Sequence, residues 1–596
     1  MADRFLEHYS DELDALRRRA ARFADAFPKI AGRLRLAPET SDDPHVERLI
    51  QSFAYSTARL RQKLDDGFPD LSEGLLETLY PHFLAPVPAM SVVSFDPALG
   101  TEELRCVPRG TQIVSDEIEG DTCRFRTTQE VTLAPVRIDA ARLMARPVEA
   151  PPCPGQSPLG CLALTLRPTG RARIADLGLG TLRLYLGRAG RQAGALAHLL
   201  TQHATGVAVA AHAGDTAARH LPRTAVRPVG FAPEEAVLPA PERSLPGYRL
   251  LSEFFALPEK FLFVDIDVAA GGIAPEQTDR MDVYVYLDAA PGDLERRIGP
   301  EAFTLGATPV VNLFDTRAEP VILDASRSAW PLLADARRPL TRQVHSVTQV
   351  TIANDDGTTD AALPYFSRLA DRRAGGMFYQ LVRHGADGDD RPGATSVAFV
   401  DHRARPVSRT GGTASVEALA TNGDLPRALP YGGGQPRLAL STPLDIVASV
   451  TALRPVTRPN RPAPEPDLIW KLISHMSLNH LSVDADGAEA LRAILRLYDP
   501  GDSRETTQMI DAILDVSTAP AVTRIASVMV SGIDVTVTFD PDRIDDGTAH
   551  LFGSVLDRFL GSYVTLNTFT RLTLRLKART DTLARFPARS GAEALI

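Results

Sequence analysis

The stretch Cys123-Arg124-Phe125-Arg126-Thr127 decides how the middle of this chain folds. Side chains on a β-strand point alternately to opposite faces, and here apolar positions alternate with arginines. This alternation predicts a strand with one face in a core and the other towards water. Further strands are predicted upstream and downstream by the same period, at Ser91–Phe95, at Gln112–Val114 and through Val131, Leu133, Val136 and Ile138.

The 90 residues before this region have the period of a helix instead. One apolar stripe advances by three or four positions, through Phe5, Tyr9, Leu13, Leu16, Ala20, Phe23 and Phe27. A second helix is predicted to begin at Asp43-Pro44, where an N-cap residue precedes a proline in the first helical position. A third is predicted to begin at Asp70, so the N-terminal segment is predicted to be helical.

Strands and helices mix again towards the C-terminus. Residues 551–560 carry a helical apolar face, and the residues on either side, 535–539 and 569–576, alternate as strands. Five prolines between Pro455 and Pro466 predict an extended linker. We therefore predict a multidomain α+β protein with a helical segment at 1–90, β-rich domains at 91–245 and 246–415, and an α+β domain at 416–596.

The length and composition are those of an ordinary globular protein. A chain of 596 residues is too long for one hydrophobic core. Its net charge of −9, without a basic stripe, argues against nucleic-acid binding, which needs clustered lysine and arginine. The N-terminus lacks the apolar region of a signal peptide, and no apolar run is long enough for a membrane span. We expect a cytoplasmic protein with four reduced cysteines.

The common catalytic motifs are not found in the sequence. There is no phosphate-binding loop ending in Gly-Lys, no His-Glu-x-x-His zinc motif and no Gly-x-Ser-x-Gly nucleophile elbow. His475 and His480 are five apart, which does not place two metal ligands on one helix face. The acidic segment 384–390 lacks the final glutamate of a calcium loop. We predict no catalytic residue, no metal site, no cofactor and no small-molecule substrate.

The aromatic-rich N-terminal stripe has two interpretations. Amphipathic helices generally cover the core of their own domain. A small helical segment is only marginally stable alone, however, and docking on helices of a partner would also bury the stripe. The candidate interface residues on it are Phe5, Tyr9, Leu13 and Leu16.

Several segments, in one order along the chain, resemble the TssF family of the type VI secretion system. Among them are FPKIAGRL (27–34), DPHVERL (43–49), LYPHFLAP (79–86), VPRGT (107–111), GYRLLSEFF (247–255), PEKFLF (258–263), TNGDLP (421–426) and FGSVLDRFL (552–560). The sequence departs from the family pattern at Ala420, where a cysteine is expected, and at His480, where a tyrosine is usual. The first departure counts against a thiol or metal function there.

The resemblance implies a structural role. Members of this family pair with TssG in a wedge, with more than one TssF copy per TssG and with helical segments woven into a shared bundle. Such wedges assemble with TssE and TssK around the VgrG hub, the sheath and tube grow from the finished baseplate, and the membrane complex anchors it at the inner membrane. The resemblance therefore implies a non-enzymatic baseplate subunit.

Two other classes remain open from sequence alone. A tail subunit of a phage or a related contractile particle shares the mechanics but not the membrane anchor. A carbohydrate-binding or carbohydrate-processing protein also has β-rich domains with acidic loops, although the enzyme needs two carboxylates about 5–10 Å apart in a cleft.

Overall fold

The computed structural model divides the chain into two compact units. The first comprises Met1–Leu76 with Pro464–Ser477, and the second Glu77–Ala463 with Leu478–Ile596. The structure describes residues 9–10, 13, 16–17, 29, 43–65, 84–98, 100–153, 155, 157–239, 246–269, 279–324, 327–354, 356–365, 377–383, 395–400, 412–461, 487–499, 503–525, 528–562, 564 and 568–590. Outside them lie Phe5, the helix predicted from Asp70, the segment 384–390, His475 and His480.

The first unit contains the 22-residue helix α1, Pro44–Asp65. Its start is the predicted one: the Asp43 carboxylate accepts the His45 N–H at 2.9 Å, and the Asp43 carbonyl accepts the Glu47 N–H at 3.0 Å. Because these bonds satisfy main-chain donors of the first turn, the helix begins at Pro44. Tyr9, Leu13 and Leu16 are helical as well, as the stripe predicts.

The second unit is organised around a closed six-stranded barrel of order β1-β14-β4-β3-β23-β24. Its strands are β1 Met90–Pro97, β3 Gln112–Ile118, β4 Asp121–Thr127, β14 Ala307–Val311, β23 Leu438–Leu440 and β24 Val447–Ala452. In β4, Cys123, Phe125 and Thr127 are buried while Arg124 and Arg126 are partly exposed, which confirms the predicted alternation. A short ribbon of β2 Arg105–Val107 and β5 Val131–Leu133 lies beside it.

The barrel takes strands from three of the four predicted domains, and the predicted boundaries stay predictions. The described part of the proline-rich segment, up to residue 461, is hydrogen-bonded to the region that begins the barrel. The Thr457 N–H donates to the Met90 carbonyl at 2.8 Å, and Val87 and Asn460 exchange two main-chain bonds. These contacts extend the barrel wall beyond β24.

Two further sheets follow the barrel in the second unit. One has the order β10-β9-β13-β7-β6 and the other β11-β12-β8. Their strands are β6 Val136–Ala145, β7 Gly160–Pro168, β8 Thr181–Tyr185, β9 Ala204–Ala210, β10 Arg219–Pro222, β11 Val226–Val229, β12 Phe263–Asp267 and β13 Met281–Leu287. Two helices accompany them, α2 Ala193–Gln202 and α3 Pro246–Ala256.

An eight-stranded sheet has the order β15-β22-β18-β19-β20-β21-β17, with β16 also paired to β22. The strands are β15 Phe314–Arg317, β16 Val321–Ile322, β17 Ala329–Pro331, β18 Gln343–Ala353, β19 Thr359–Pro364, β20 Phe378–Arg383, β21 Thr395–Val400 and β22 Thr413–Thr421. Ala420, the departure from the family pattern, is buried opposite Phe314 and packs in this core. The small residue therefore serves packing.

The described part of the C-terminal region combines a sheet with three helices, and the predicted helix at 551–560 lies within the last of them. Its strands are β25 Ile513–Ile525, β26 Val528–Phe539, β27 Thr568–Leu576, β28 Thr582–Arg585 and β29 Arg589–Ser590. Its helices are α4 Gly487–Leu497, α5 Arg504–Asp511 and α6 Asp546–Gly561. Strands β26 and β27 are parallel, and α6 provides the crossover that parallel strands require. The α+β fold class is confirmed.

Helix α6 joins this C-terminal region to the sheets before it. Phe552 on α6 stacks on Phe254 of α3, with ring centroids 5.5 Å apart. At its other contact α6 crosses α2 so closely that a Cβ on Gly547 would lie 2.2 Å from the main-chain nitrogen of Ala195. Only glycine allows this approach, so the crossing fixes how the two regions pack.

We expect Gly547→Ala to lower the free energy of unfolding of the second unit by about 3 kcal/mol, because overpacking against main chain cannot relax through side-chain movement. Gly561→Ala on the same helix is the control, since its Cβ would meet only the flexible Arg589 side chain at 3.0 Å. Urea unfolding measures both. Equal stability of the two variants would contradict the close crossing.

Candidate functional site

The described part of the chain has no feature of a metal or thiol active site. No three histidine, cysteine or acidic residues within it form a group that could hold a metal ion. The four cysteines are free, and burial raises the pKa of Cys106 to about 11 and that of Cys123 to about 12. Thiols with such pKa values are protonated at neutral pH, and the thiolate is the reactive form. Among the described helices, none is both long and apolar enough to cross a membrane.

Helix α1 instead exposes two large apolar side chains, those of Leu49 and Phe53. Leu49 is 70% exposed and Phe53 is 64% exposed. These two residues are four positions apart and therefore lie on one helix face, which we call the Leu49–Phe53 stripe. The opposite part of the helix is buried through Ala54 and Ala58, both 0% exposed. The sequence predicts an apolar stripe on this helix from the helical spacing of Val46, Leu49, Ile50, Phe53, Leu60 and Leu64. It does not reveal that the alanine face is a buried one.

The predicted interface residues lie in the same compact unit as this helix. Tyr9, Leu13 and Leu16 are helical and each is partly buried. Next to Leu16, the Arg17 guanidinium contacts the Glu47 carboxylate of α1 at 2.7 Å. The structure thus brings the N-terminal helical residues beside α1. Their partial burial leaves part of each side chain accessible.

The second unit contains buried polar networks that sequence reasoning missed. Glu253 of α3 is 0% exposed, and its carboxylate accepts the Val237 and Leu238 N–H groups at 2.8 and 2.9 Å and a bond from Lys260. Burial lowers the pKa of Lys260, and Glu253 opposes this shift. The network holds the residues before α3 against the 3-10 turn that follows it. One sequence signal could have drawn attention to this network: Lys260 is one of only five lysines in the chain.

A second network joins the barrel to the eight-stranded sheet. Asn312 and Asn422 are both fully buried, and the Asn422 N–H donates to the Asn312 side-chain oxygen at 2.7 Å. The Asn312 amide donates in turn to the Arg124 carbonyl at 2.7 Å, and the Arg124 N–H donates to Asn422 at 2.8 Å. All three hydrogen bonds join residues of the second unit to each other. The geometry is that of a structural joint.

Asp121, at the start of β4, adds an ionic contact to this joint. Arg338 and Arg342 contact its carboxylate at 2.7 and 3.0 Å. Burial by itself raises the pKa of Asp121, but hydrogen bonds from Arg342, from the Thr122 N–H and from Thr341 lower the pKa below its ordinary value. The carboxylate is therefore ionised and fixed at neutral pH, which suits a structural contact and not a general acid.

Three histidines meet where α2 and α6 cross. The His198 ring lies 4.6 Å from that of His550 and 5.2 Å from that of His203, measured between centroids. Neither ring nitrogen of His550 has a hydrogen-bond partner among the described residues, and the residue is 3% exposed. His198 contacts the Leu583 carbonyl at 3.2 Å, and His203 contacts Asp288 at 2.7 Å. His550 fills a core, while the partly exposed His203 is held by its contact with Asp288.

Burial lowers the pKa of both His198 and His550, and the neighbouring histidines lower it further. The unfolded imidazole has a pKa near 6.5, so the unfolded chain binds more protons than the folded one below that pH. Stability is therefore fully present above about pH 6.5 and is lost as the pH falls below it. The loss approaches about 1.4 kcal/mol per pH unit for each histidine that stays neutral.

We expect the melting temperature of the chain to fall between pH 7.5 and pH 5.5, and His550→Phe to reduce that fall. Phenylalanine keeps an aromatic ring next to Phe586, whose ring stacks on that of His550, and it removes the titrating group. The measurement is thermal unfolding of both proteins at each pH. An equal fall in the two proteins would show that His550 is not the source.

Comparison with known proteins gives a consistent result over the whole chain. The family model "Type VI secretion system, TssF" matches residues 1–593. The sequence is similar to type VI secretion system component TssF1 of Pseudomonas aeruginosa strain PAO1, with 33% identity over 620 residues and 99% of each chain covered.

Two solved structures have a similar fold. One is a chain in the cryo-electron microscopy structure of the type VI secretion system TssK-TssF-TssG baseplate subcomplex, with a TM-score of 0.72, 27% identity and coverage of 92% of this chain and 100% of that one. The other is a chain of the type VI secretion system baseplate complex, with a TM-score of 0.60, 22% identity and coverage of 99% and 100%. The second likeness concerns the fold alone.

Proposed function

Because the chain belongs to the TssF family of the type VI secretion system, we propose that it is a structural baseplate subunit that binds TssG-type and TssK-type proteins. In this chain, the observation that supports partner binding is the exposed Leu49–Phe53 stripe. Burying an exposed phenylalanine or leucine side chain contributes a free energy of about 1.5–3 kcal/mol each. A partner surface that covers them recovers this free energy.

The finer assignment follows the family pattern. More than one copy of this chain binds each TssG-type protein, and the N-terminal helical residues contribute to a shared helical bundle. The wedge binds TssE and surrounds the VgrG hub, and the sheath and tube grow from the finished baseplate. The subunit works in the cytoplasm, where the membrane complex anchors the baseplate at the inner membrane, and it catalyses no reaction.

The distribution of buried charge supports a scaffold over an enzyme. Glu253 and Asp121 are each satisfied by several donors within the second unit, so neither is left to react with a substrate. Permanent complexes bury about 2,000–5,000 Å², and their energy is concentrated in a few anchors, among which aromatic residues are enriched. Phe53, with Tyr9, Leu13 and Leu16, is the anchor set that we propose.

We expect Phe53→Gln to weaken binding to the TssG-type protein of the same genome about 10- to 100-fold, which corresponds to about 1.4–2.8 kcal/mol. Glutamine is a good helix former, and the ring is already exposed, so the melting temperature of the free chain stays within about 2 °C. Affinity is measured by titration of the purified partner against each variant.

Ile322→Gln is the matched control for this experiment. Ile322 lies on the short strand β16 of the second unit and is 72% exposed, so its substitution removes a similar exposed apolar side chain from another surface. Its affinity for the partner should equal that of the unchanged chain. If Phe53→Gln binds as tightly as the control, the stripe is not part of the interface.

A further inference from the structure

Strand β8 is an edge strand whose outer side is only partly used. Among the strands that the structure describes, it pairs with β12 alone. The Val268 N–H donates to the Gly180 carbonyl and the Leu186 N–H to the Leu262 carbonyl, both at 2.9 Å. Main-chain groups alternate in direction along an antiparallel strand, so the even-numbered residues of β8 face β12. The main-chain groups of Thr181, Arg183 and Tyr185 therefore face outward.

The outward edge is already paired at one end. The Tyr185 N–H donates to the Thr304 carbonyl at 2.9 Å, and the Thr304 N–H donates back at 3.0 Å. This confirms the direction inferred for the odd-numbered residues. Beyond this bridge, within the part of the chain that the structure describes, the N–H and C=O groups of Thr181 and Arg183 have no main-chain partner. An unpaired edge of this kind can template another strand.

The free part of the edge borders a large cleft. The cleft has a volume of about 1310 Å³, and β5, the end of β1 and the segment around Phe303 form its other walls. Pockets for drug-sized ligands measure about 300–1,000 Å³, so this one exceeds what a small metabolite fills. The lining is mixed: apolar side chains such as Leu133, Leu182 and Phe303 share it with charged ones such as Arg188, Arg227 and Glu301. The size and lining favour a peptide segment.

Two buried polar groups on the cleft wall lack partners. Gln129 is 3% exposed; its side-chain oxygen accepts a 2.7 Å bond from Arg183, but its Nε2 has no acceptor among the described residues. The hydroxyl of Thr304 is also buried without a partner among them. A buried polar group left unsatisfied costs about 1–3 kcal/mol. A ligand with carbonyl oxygens would supply the missing acceptors.

The charge next to the edge is neutralised within the chain. Arg183 makes two bonds to the Asp265 carboxylate, at 2.8 and 2.9 Å. An incoming strand therefore needs no acidic residue opposite Arg183. Along β8 itself the outward main-chain groups are therefore the contacts left for an incoming strand, while charged side chains such as Arg188 and Arg227 line other parts of the cleft.

We propose that an extended peptide segment of a partner protein, with both apolar and polar side chains, adds to the edge of β8 as a fourth strand of this sheet and lies in the cleft. The segment exchanges main-chain hydrogen bonds with Thr181 and Arg183, as peptides do when they extend a sheet. The proposal rests on the proposed function, because the partner is a protein of the same baseplate. It adds a binding site in the second unit that is separate in kind from the helical stripe.

The test is amide hydrogen exchange at single-residue resolution, on the full chain alone and in its complex with the TssG-type and TssK-type proteins of the same genome. We expect the Thr181 and Arg183 amides to exchange at least tenfold more slowly in the complex. A complex that forms without this slowing would overturn the inference and leave the proposed function intact. Slow exchange in the free chain would also overturn it, because the edge would then be occupied by the chain itself.

Thr181→Pro removes the outward N–H without removing a bond to β12, and proline is tolerated on edge strands. We expect this variant to lose the slowing at Arg183 and to bind the partners more than tenfold more weakly. Thr181→Ala keeps the N–H and is the control, with affinity within twofold of the unchanged chain. If the proline variant binds as the alanine variant does, the strand-addition site is wrong. If no complex forms with the unchanged chain, the proposed function fails and this inference falls with it.

Discussion

The second unit depends on the pairing of β1 with β14 on one side and β24 on the other. These contacts join Val93 to residues more than two hundred and more than three hundred positions away, and β1 is buried at six successive residues. Burial on both sides leaves no water to satisfy the main chain, so both ladders must form. Closing such long loops costs conformational entropy, which the surrounding sheets and the α6 packing offset. The result is one framework with satisfied joints.

The first unit poses the opposite physical situation. Its helix α1 packs through alanines and leaves Leu49 and Phe53 in water, where an exposed apolar stripe has no stabilising role for the free chain. In the second unit the buried carboxylates of Glu253 and Asp121 are satisfied by internal contacts. Together with a helical unit that exposes apolar side chains, this suits a subunit whose role is to bind other proteins. The edge of β8 adds a second means of attachment, through main-chain hydrogen bonds.

Local sequence patterns predicted many helices and strands of this fold. They could not predict which strands, distant in sequence, pair with each other. The alternation at Cys123 and Phe125 depends only on residues that are adjacent in sequence, and so does the Asp43 cap. The structure has both features. Helix α2 was missed because its sequence is apolar on most sides and shows little helical contrast. The barrel, and the burial of the Gln129 amide nitrogen without an acceptor among the described residues, depend on strands distant in sequence. The stripe was predicted as apolar, but which face packs depends on the tertiary arrangement of the unit.

The central claim is that this chain completes its burial only in an assembly. The most direct measurement is the mass of the complex formed with the TssG-type protein, by light scattering after size-exclusion chromatography. The account predicts one stable species whose mass requires more than one copy of the 64.4 kDa chain per partner. Two separate peaks, with the chain a monomer beside an unbound partner, would contradict it.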